Sequence, residues 1–211
     1  MTGLEDQIEL LKFVGGELKS RTECLIIGGA AMMFYGIKNS TKDIDMVFFD
    51  ETKRKNVISA LEKAGFYKRY FKDKDIFLLE RKDARFDMFL NNVMKFSISP
   101  AMAERKKEVH EFGNLLAMIA SPEDIILLKC ATDREGDRLD AKSLIEKFDI
   151  KWNMIIEEIK WQNEKSKKPL SLFLYDFLLE LIELKALVPK NVIRELKMIN
   201  EKEMDKLSKK R

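Results

Sequence analysis

Gly28-Gly29, Asp43-Ile44-Asp45 and Asp87 are the residues of this chain whose types and spacing could do chemistry. Asp43-Ile44-Asp45 directly precedes the apolar run Met46 to Phe49 and is expected at the start of a strand. Side chains alternate faces along a strand, so Asp43 and Asp45 project together while Ile44 anchors the other face. Two parallel carboxylates repel unless a positive group lies between them. A hard divalent cation such as Mg2+ meets that need, since it takes carboxylate, phosphate and water oxygens. Upstream, the run Cys24 to Ile27 stops at Gly28-Gly29 and reads as a buried strand turning into a helix from Ala30 to Tyr35. Glycines at such a turn let another group approach the backbone, and the amides of the helix start suit a phosphate.

Asp87 is a third acid, set in the short strand pattern Arg85 to Leu90. An acid in an otherwise apolar strand is unfavourable unless paired, hydrated or bound to metal. Asp87 is therefore expected to complete a cation site with Asp43 and Asp45, with Asp83 and Asp75 as the alternative acids. Two cations sharing such carboxylates, roughly 3.5–4 Å apart, would clamp the attacking and leaving oxygens of an in-line phosphoryl displacement.

The glycine pair, the Asp-x-Asp motif and an acid in a later strand resemble the DNA polymerase beta-type nucleotidyltransferase superfamily, especially its minimal stand-alone members. The resemblance covers the chain to about Leu90. It implies that Gly28 and Gly29 line a triphosphate site and that Asp43, Asp45 and Asp87 hold two Mg2+ ions, with Mn2+ as a substitute. The activity it implies is transfer of a nucleoside monophosphate from an NTP to a hydroxyl, with release of pyrophosphate. The acceptor classes it leaves open are an RNA end, a protein side chain and a small molecule. Many members carry a serine at the glycine pair, where this chain has Ala30 and Ala31; the hydroxyl is then expected from Ser40 or Thr41, with Lys42 nearby. Ser121 to Lys129 and Arg138-Leu139-Asp140 are similar to the helical segment of abortive-infection-toxin-like nucleotidyltransferases. The competing class is a nucleotide-binding or interaction module without turnover. A toxin-antitoxin pair, with an antitoxin or other partner protein, is an expectation attached to this non-catalytic alternative.

The elements that must position these residues read as follows. Leu4, Ile8, Leu11 and Val14 have amphipathic helical spacing over Leu4 to Leu18. Gly15-Gly16 within it lacks the basic and hydroxyl residues of a phosphate loop. Asp50 or Thr52 caps a helix to about Lys63, with Gly65 ending it. Strands are expected over Phe66 to Phe71, Ile76 to Glu80 and Arg85 to Leu90, and a hairpin joins Glu108–Phe112 to Leu115–Ala120 through Gly113-Asn114. From Ser121, a cap followed by Pro122, Glu123 and Asp124, the character turns helical. Helices are expected over Gly136 to Lys147, Trp152 to Lys165, Leu170 to Leu187 and Asn191 to about Leu207. The fold class is α+β: a small mixed sheet with helices, palm-like, then a mostly helical C-terminal domain. The expected domains are residues 1–120 and 121–211.

Composition narrows the function classes. A net charge of +3 from 39 basic and 36 acidic residues is too small to make the whole chain a nucleic-acid binder. Lys190 to Arg211 holds eight basic residues, but four acids are interspersed, which favours a solvated helix over an RNA-binding face. Cys24 and Cys130 lack metal-ligand spacing and lie in apolar runs, as expected of reduced thiols in a cytoplasmic protein. No apolar run approaches the ~20 residues of a membrane span, and the start Leu4-Glu5-Asp6 is unlike a signal peptide. His110, without a serine or cysteine partner nearby, reads as structural. Lys129, Arg138 and Asp140 fit nucleotide contacts and surface ion pairing equally well; Lys129 is carried as a nucleotide-binding candidate.

Overall fold

The computed structural model describes residues 3–72, 75–82 and 84–209. Asp83, an alternative to Asp87, lies outside the described residues, as do Asp73 and Lys74 and the terminal Lys210 and Arg211. The chain divides into two compact units, Met1–Ser121 and Pro122–Arg211.

The first unit opens with α1 (Leu4–Glu17), followed by β1 (Thr22–Ile27), α2 (Gly28–Phe34) and β2 (Asp43–Phe48). Next come α3 (Glu51–Lys63), β3 (Tyr67–Phe71), β4 (Ile76–Arg81) and β5 (Ala84–Leu90). A two-residue-per-strand hairpin, β6 (Asn92–Val93) and β7 (Phe96–Ser97), leads to α4 (Pro100–Glu104), β8 (Glu108–Phe112) and β9 (Leu115–Ile119). The long strands form one seven-stranded sheet in the order β3-β4-β5-β2-β1-β9-β8. It is mixed: β1 runs parallel to β9 and β2 parallel to β5, while the other neighbours are antiparallel.

Strand chemistry follows position. Central β1 is almost wholly buried, and β2 is buried and apolar after its two acids, whereas the edge strand β3 is exposed throughout and bears Lys68 and Arg69. One face of β2, β5 and β4 presents Ile44, Met46, Phe48, Phe86, Met88 and Leu79, all essentially buried. Helix α3 packs on this face: the Arg54 guanidinium lies 4.9 Å from the Phe77 ring centre, and Phe66, just past the helix, meets Phe86 edge-on at 5.4 Å. Alternation then obliges Asp43, Asp45, Arg85 and Asp87 to project from the other face. A one-residue slip of β2 would bury both acids beneath α3.

Two local features differ from the sequence reading. Helix α2 starts on Gly28 rather than at Ala30, because Gly28 adopts φ +62° and turns the chain within one residue of the strand end. Gly15, inside α1, is a packing residue: a Cβ there would stand 1.5 Å from the Phe112 carbonyl oxygen, so only glycine lets α1 lie against the β8–β9 hairpin.

The second unit comprises α5 (Pro122–Lys129), α6 (Glu135–Lys147), α7 (Trp152–Ser166), α8 (Ser171–Glu183) and α9 (Lys190–Ser208). Its core is apolar, with Leu127, Leu144, Ile159, Leu174, Leu178, Leu181 and Leu196 fully buried. Two buried polar contacts brace it: the Asn163 amide donates to Ser171 Oγ at 2.8 Å, and Glu123 Oε1 accepts from the Lys151 amide at 3.0 Å. Helix α8 ends at Glu183 rather than Leu187. The Ala186 and Lys185 amides turn back to the Leu181 and Ile182 carbonyls at 2.9 Å each, with Lys185 at φ +68°. This pair of bonds with a left-handed residue is the Schellman reversal that closes a helix C-terminus. Among the described residues no helix is long and apolar enough to cross a membrane.

Candidate active site

The turn from β1 into α2 brings the glycine pair against the acids. A Cβ on Gly28 would stand 2.5 Å from Asp45 Oδ2, and one on Gly29 would stand 2.9 Å from Thr41 Oγ1. Gly28 is thus required twice, for its positive φ and for the approach of the Asp45 carboxylate. Thr41 is buried, and its hydroxyl donates to Asp43 Oδ1 at 3.4 Å. Of the candidates before the acids, Thr41 is therefore the one whose hydroxyl meets both the glycine turn and Asp43. Ser40 is half-buried and Lys42 exposed.

The parallel pairing of β2 with β5 sets Asp45 opposite Asp87 and Asp43 opposite Arg85. Asp43, Asp45 and Asp87 therefore lie on one face of two adjacent strands. Asp87 is 7% exposed, while Asp43 and Asp45 are half-buried. Burial pushes the Asp87 carboxyl above the usual carboxylate range, with Asp43 and Glu80 adding to the rise and Arg85 opposing it.

Arg85 is the residue that sequence reasoning passed over. Its Nε donates to Asp87 Oδ1 at 2.6 Å and a terminal nitrogen to Asp87 Oδ2 at 2.5 Å; the same nitrogen lies 3.6 Å from Asp43 Oδ2. The signal was available, since Arg-x-Asp in a strand places both side chains on one face. What alternation could not show was that Asp43 would be the facing residue on β2.

The donor set fits a hard divalent cation: three carboxylates on one sheet face, two of them directly opposed, with the glycine turn beside them. Among the described residues, however, no three acidic, histidine or cysteine side chains converge tightly enough to hold a metal ion as they stand. The Arg85 guanidinium stands between Asp87 and Asp43 and supplies the positive charge these carboxylates share.

Other candidates are placed elsewhere. Lys129, in the second unit, is 6% exposed and donates to Asp137 Oδ1 and Asp140 Oδ2, each at 2.7 Å. Arg138 pairs with Glu180. Asp75 accepts from Arg54 at 3.0 Å at the start of β4. The His110 ring lies 4.7 Å from the Phe34 ring at a tilt of 35°, and its Nε2 is 2.9 Å from Glu108.

Replacing Gly28 by alanine is expected to destabilise the fold by about 1–2 kcal/mol from the left-handed backbone alone. It should also displace the Asp45 carboxylate. Thermal unfolding checks the first effect. Comparison with Gly65→Ala, at φ +82° with nothing within 4 Å of an added Cβ, isolates it.

A family model described as nucleotidyltransferase of unknown function (DUF6036) matches residues 3–175. Among curated proteins none matches. Among solved structures, the chain is similar to an antigenic nucleotidyltransferase-like protein from Paracoccidioides brasiliensis, at 16% identity over 92% of this chain and 94% of that one, with a TM-score of 0.51. It is also similar to the antibiotic-resistance factor ANT(2'')-Ia: 19% identity, 85% of this chain, 95% of that one, TM-score 0.44 in solution. For the crystal structure of ANT(2'')-Ia with adenylyl-2''-tobramycin the values are 18%, 82%, 98% and 0.44.

Proposed function

This chain belongs to that nucleotidyltransferase family, and on that premise we propose that it transfers a nucleoside monophosphate from an NTP to a hydroxyl in a metal-dependent reaction carried by Asp43, Asp45 and Asp87. The observation that carries the reading is the register of β2 and β5, which sets Asp45 opposite Asp87 with Asp43 on the same face. Asp43 and Asp45 would hold two Mg2+ ions, or Mn2+, and Asp87 would share the ion nearer the acceptor. When bound, the ions supply Lewis-acid activation of the acceptor oxygen and neutralise charge on the triphosphate.

The chain's own residues divide the remaining work. The acceptor oxygen bonds to the α-phosphorus as the bond from that phosphorus to the bridging oxygen of the leaving pyrophosphate breaks. Asp87, buried and directly opposite Asp45, takes the hydroxyl proton. Gly28 and Gly29 give the triphosphate close access to the backbone, and their amides stabilise its charge. Thr41, beside Gly29 and Asp43, supplies the hydroxyl that Ala30 and Ala31 lack; Ser40 and Lys42 flank it. Lys129 is assigned an internal role, given its two carboxylate partners.

In this proposal residues 1–120 form the nucleotidyltransferase-like domain and 121–211 a helical domain, in a cytoplasmic enzyme of the polymerase beta-type superfamily. It would stand near the abortive-infection-toxin-like branch. A second reading, a nucleotide-binding module without turnover, draws on the Arg85 guanidinium already neutralising the acids; an antitoxin or other partner protein belongs to this reading.

Incubation with each α-labelled NTP, Mg2+ and separate pools of cellular RNA, protein and small hydroxylated amines tests the reading. Label should pass to one pool, which names the acceptor class. Mg2+-dependent NTP binding without transfer to any pool would select the second reading.

A further inference from the structure

Arg85 has two sets of acidic neighbours on the open face of the sheet. On one side its guanidinium forks onto Asp87 and reaches toward Asp43 at 3.6 Å. On the other, the antiparallel pairing of β4 with β5 sets Glu80 directly opposite Arg85. Directly opposed residues hold their Cβ atoms about 4.5–5.5 Å apart, within easy swing of an arginine. Glu80 is itself paired with Arg69 of β3, so two guanidinium groups and the acids Glu80, Asp87 and Asp43 form one charged row across three strands and β2.

The side chain of Arg85 is 36% exposed, against 10% for Asp87. One end of the pair is thus buried and the other reaches solvent. A bidentate arginine–carboxylate fork engages both carboxylate oxygens, so while the fork is closed a second cation at Asp87 meets a like charge beside it and the outer lone pairs only. Asp43 shares the same nitrogen at longer range.

We propose that Arg85 is a displaceable counter-ion of the acid cluster: it holds Asp87 and Asp43 in place without metal, and a divalent cation binds by driving the guanidinium off these carboxylates toward Glu80. This rests on the metal-dependent reading of Asp43, Asp45 and Asp87, and adds to it a device that sets the cation affinity of the free protein. Arg85 is a positioning residue in this scheme. It offsets the mutual repulsion of the acids and makes the first cation compete for its place.

The test is Mn2+ binding to the full-length, nucleotide-free protein, read from the loss of the free-ion paramagnetic resonance signal. Wild type is compared with Arg85→Met, Arg85→Lys and the Asp43→Asn/Asp45→Asn control. Removing a forked charge-assisted competitor should tighten Mn2+ binding at least about tenfold in Arg85→Met. Arg85→Lys should fall between, because lysine is a point charge that cannot close the fork. The control should lose the binding. A strut with only a structural role predicts the opposite sign, since its loss would loosen the ligands. Equal or weaker Mn2+ binding by a folded Arg85→Met overturns the inference while leaving the metal site standing. Should Arg85→Met not fold, equal or weaker binding by Arg85→Lys does the same. Absence of Mn2+ binding from folded wild type and both arginine variants overturns this inference and the metal-dependent reading together.

Discussion

In the Asp43→Asn/Asp45→Asn variant, transfer from an α-labelled NTP is expected to fall by at least about 100-fold. Losing a group that merely supports a metal ligand already reaches that size, and these are the proposed ligands themselves. The substitution keeps side-chain volume and strand pattern, so the sheet should survive. Asp43 and Asp45 lie at the first and third positions of β2 on the face opposite α3, and neither contributes to the apolar core. Unchanged thermal unfolding with lost transfer is therefore the expected pair of results. Wild-type transfer rates in a folded variant would show that the acids are structural.

Lys129→Met is expected to destabilise the helical unit by about 3–5 kcal/mol, the usual result of removing one partner from a buried ion pair. The Lys129 ammonium sits between Asp137 and Asp140, and Asp137 also accepts from Thr132 and, at 2.8 Å, from Arg134. Burial pushes the Asp137 carboxyl up, but Lys129, Thr132 and Arg134 together hold it below its ordinary value. A carboxyl whose folded value is lowered contributes stability that is present above about pH 4 and lost as pH falls through the folded value. Wild type should therefore lose stability with acid in that range, and Lys129→Met should show a shallower loss there because most of the contribution is already gone. Thermal unfolding as a function of pH measures both. If Lys129 instead serves a nucleotide, the variant will keep its unfolding temperature and lose NTP binding.

Several parts of this protein were legible from local pattern. Alternation along Asp43-Ile44-Asp45 needs no partner strand to put two acids on one face, and β2 begins at Asp43 as expected. Asp50 before α3 is a cap whose side chain accepts from the Lys53 amide at 2.8 Å, an interaction three residues in reach. The hairpin at Gly113-Asn114 and the start of α5 at Pro122 follow from turn and cap chemistry of the same range. The short β6–β7 hairpin, for which no periodic pattern argues, rests on Asn91 and Met94 at φ +55° and +54°. Neither residue announces that backbone as glycine would.

By itself the sequence determined what lies within a few residues of each position: strand faces, caps, turns and the apolar stripes that become cores. Tertiary structure alone decided which acid faces Asp45, that Arg85 would stand between Asp87 and Asp43, why Gly28 and Gly29 are glycine, and that Lys129 is held by Asp137 and Asp140. The reason is physical. Dihedral preferences and period are properties of a segment, whereas register, ion pairing and close approach depend on which distant segment folding brings alongside, and on how much water it excludes when it arrives.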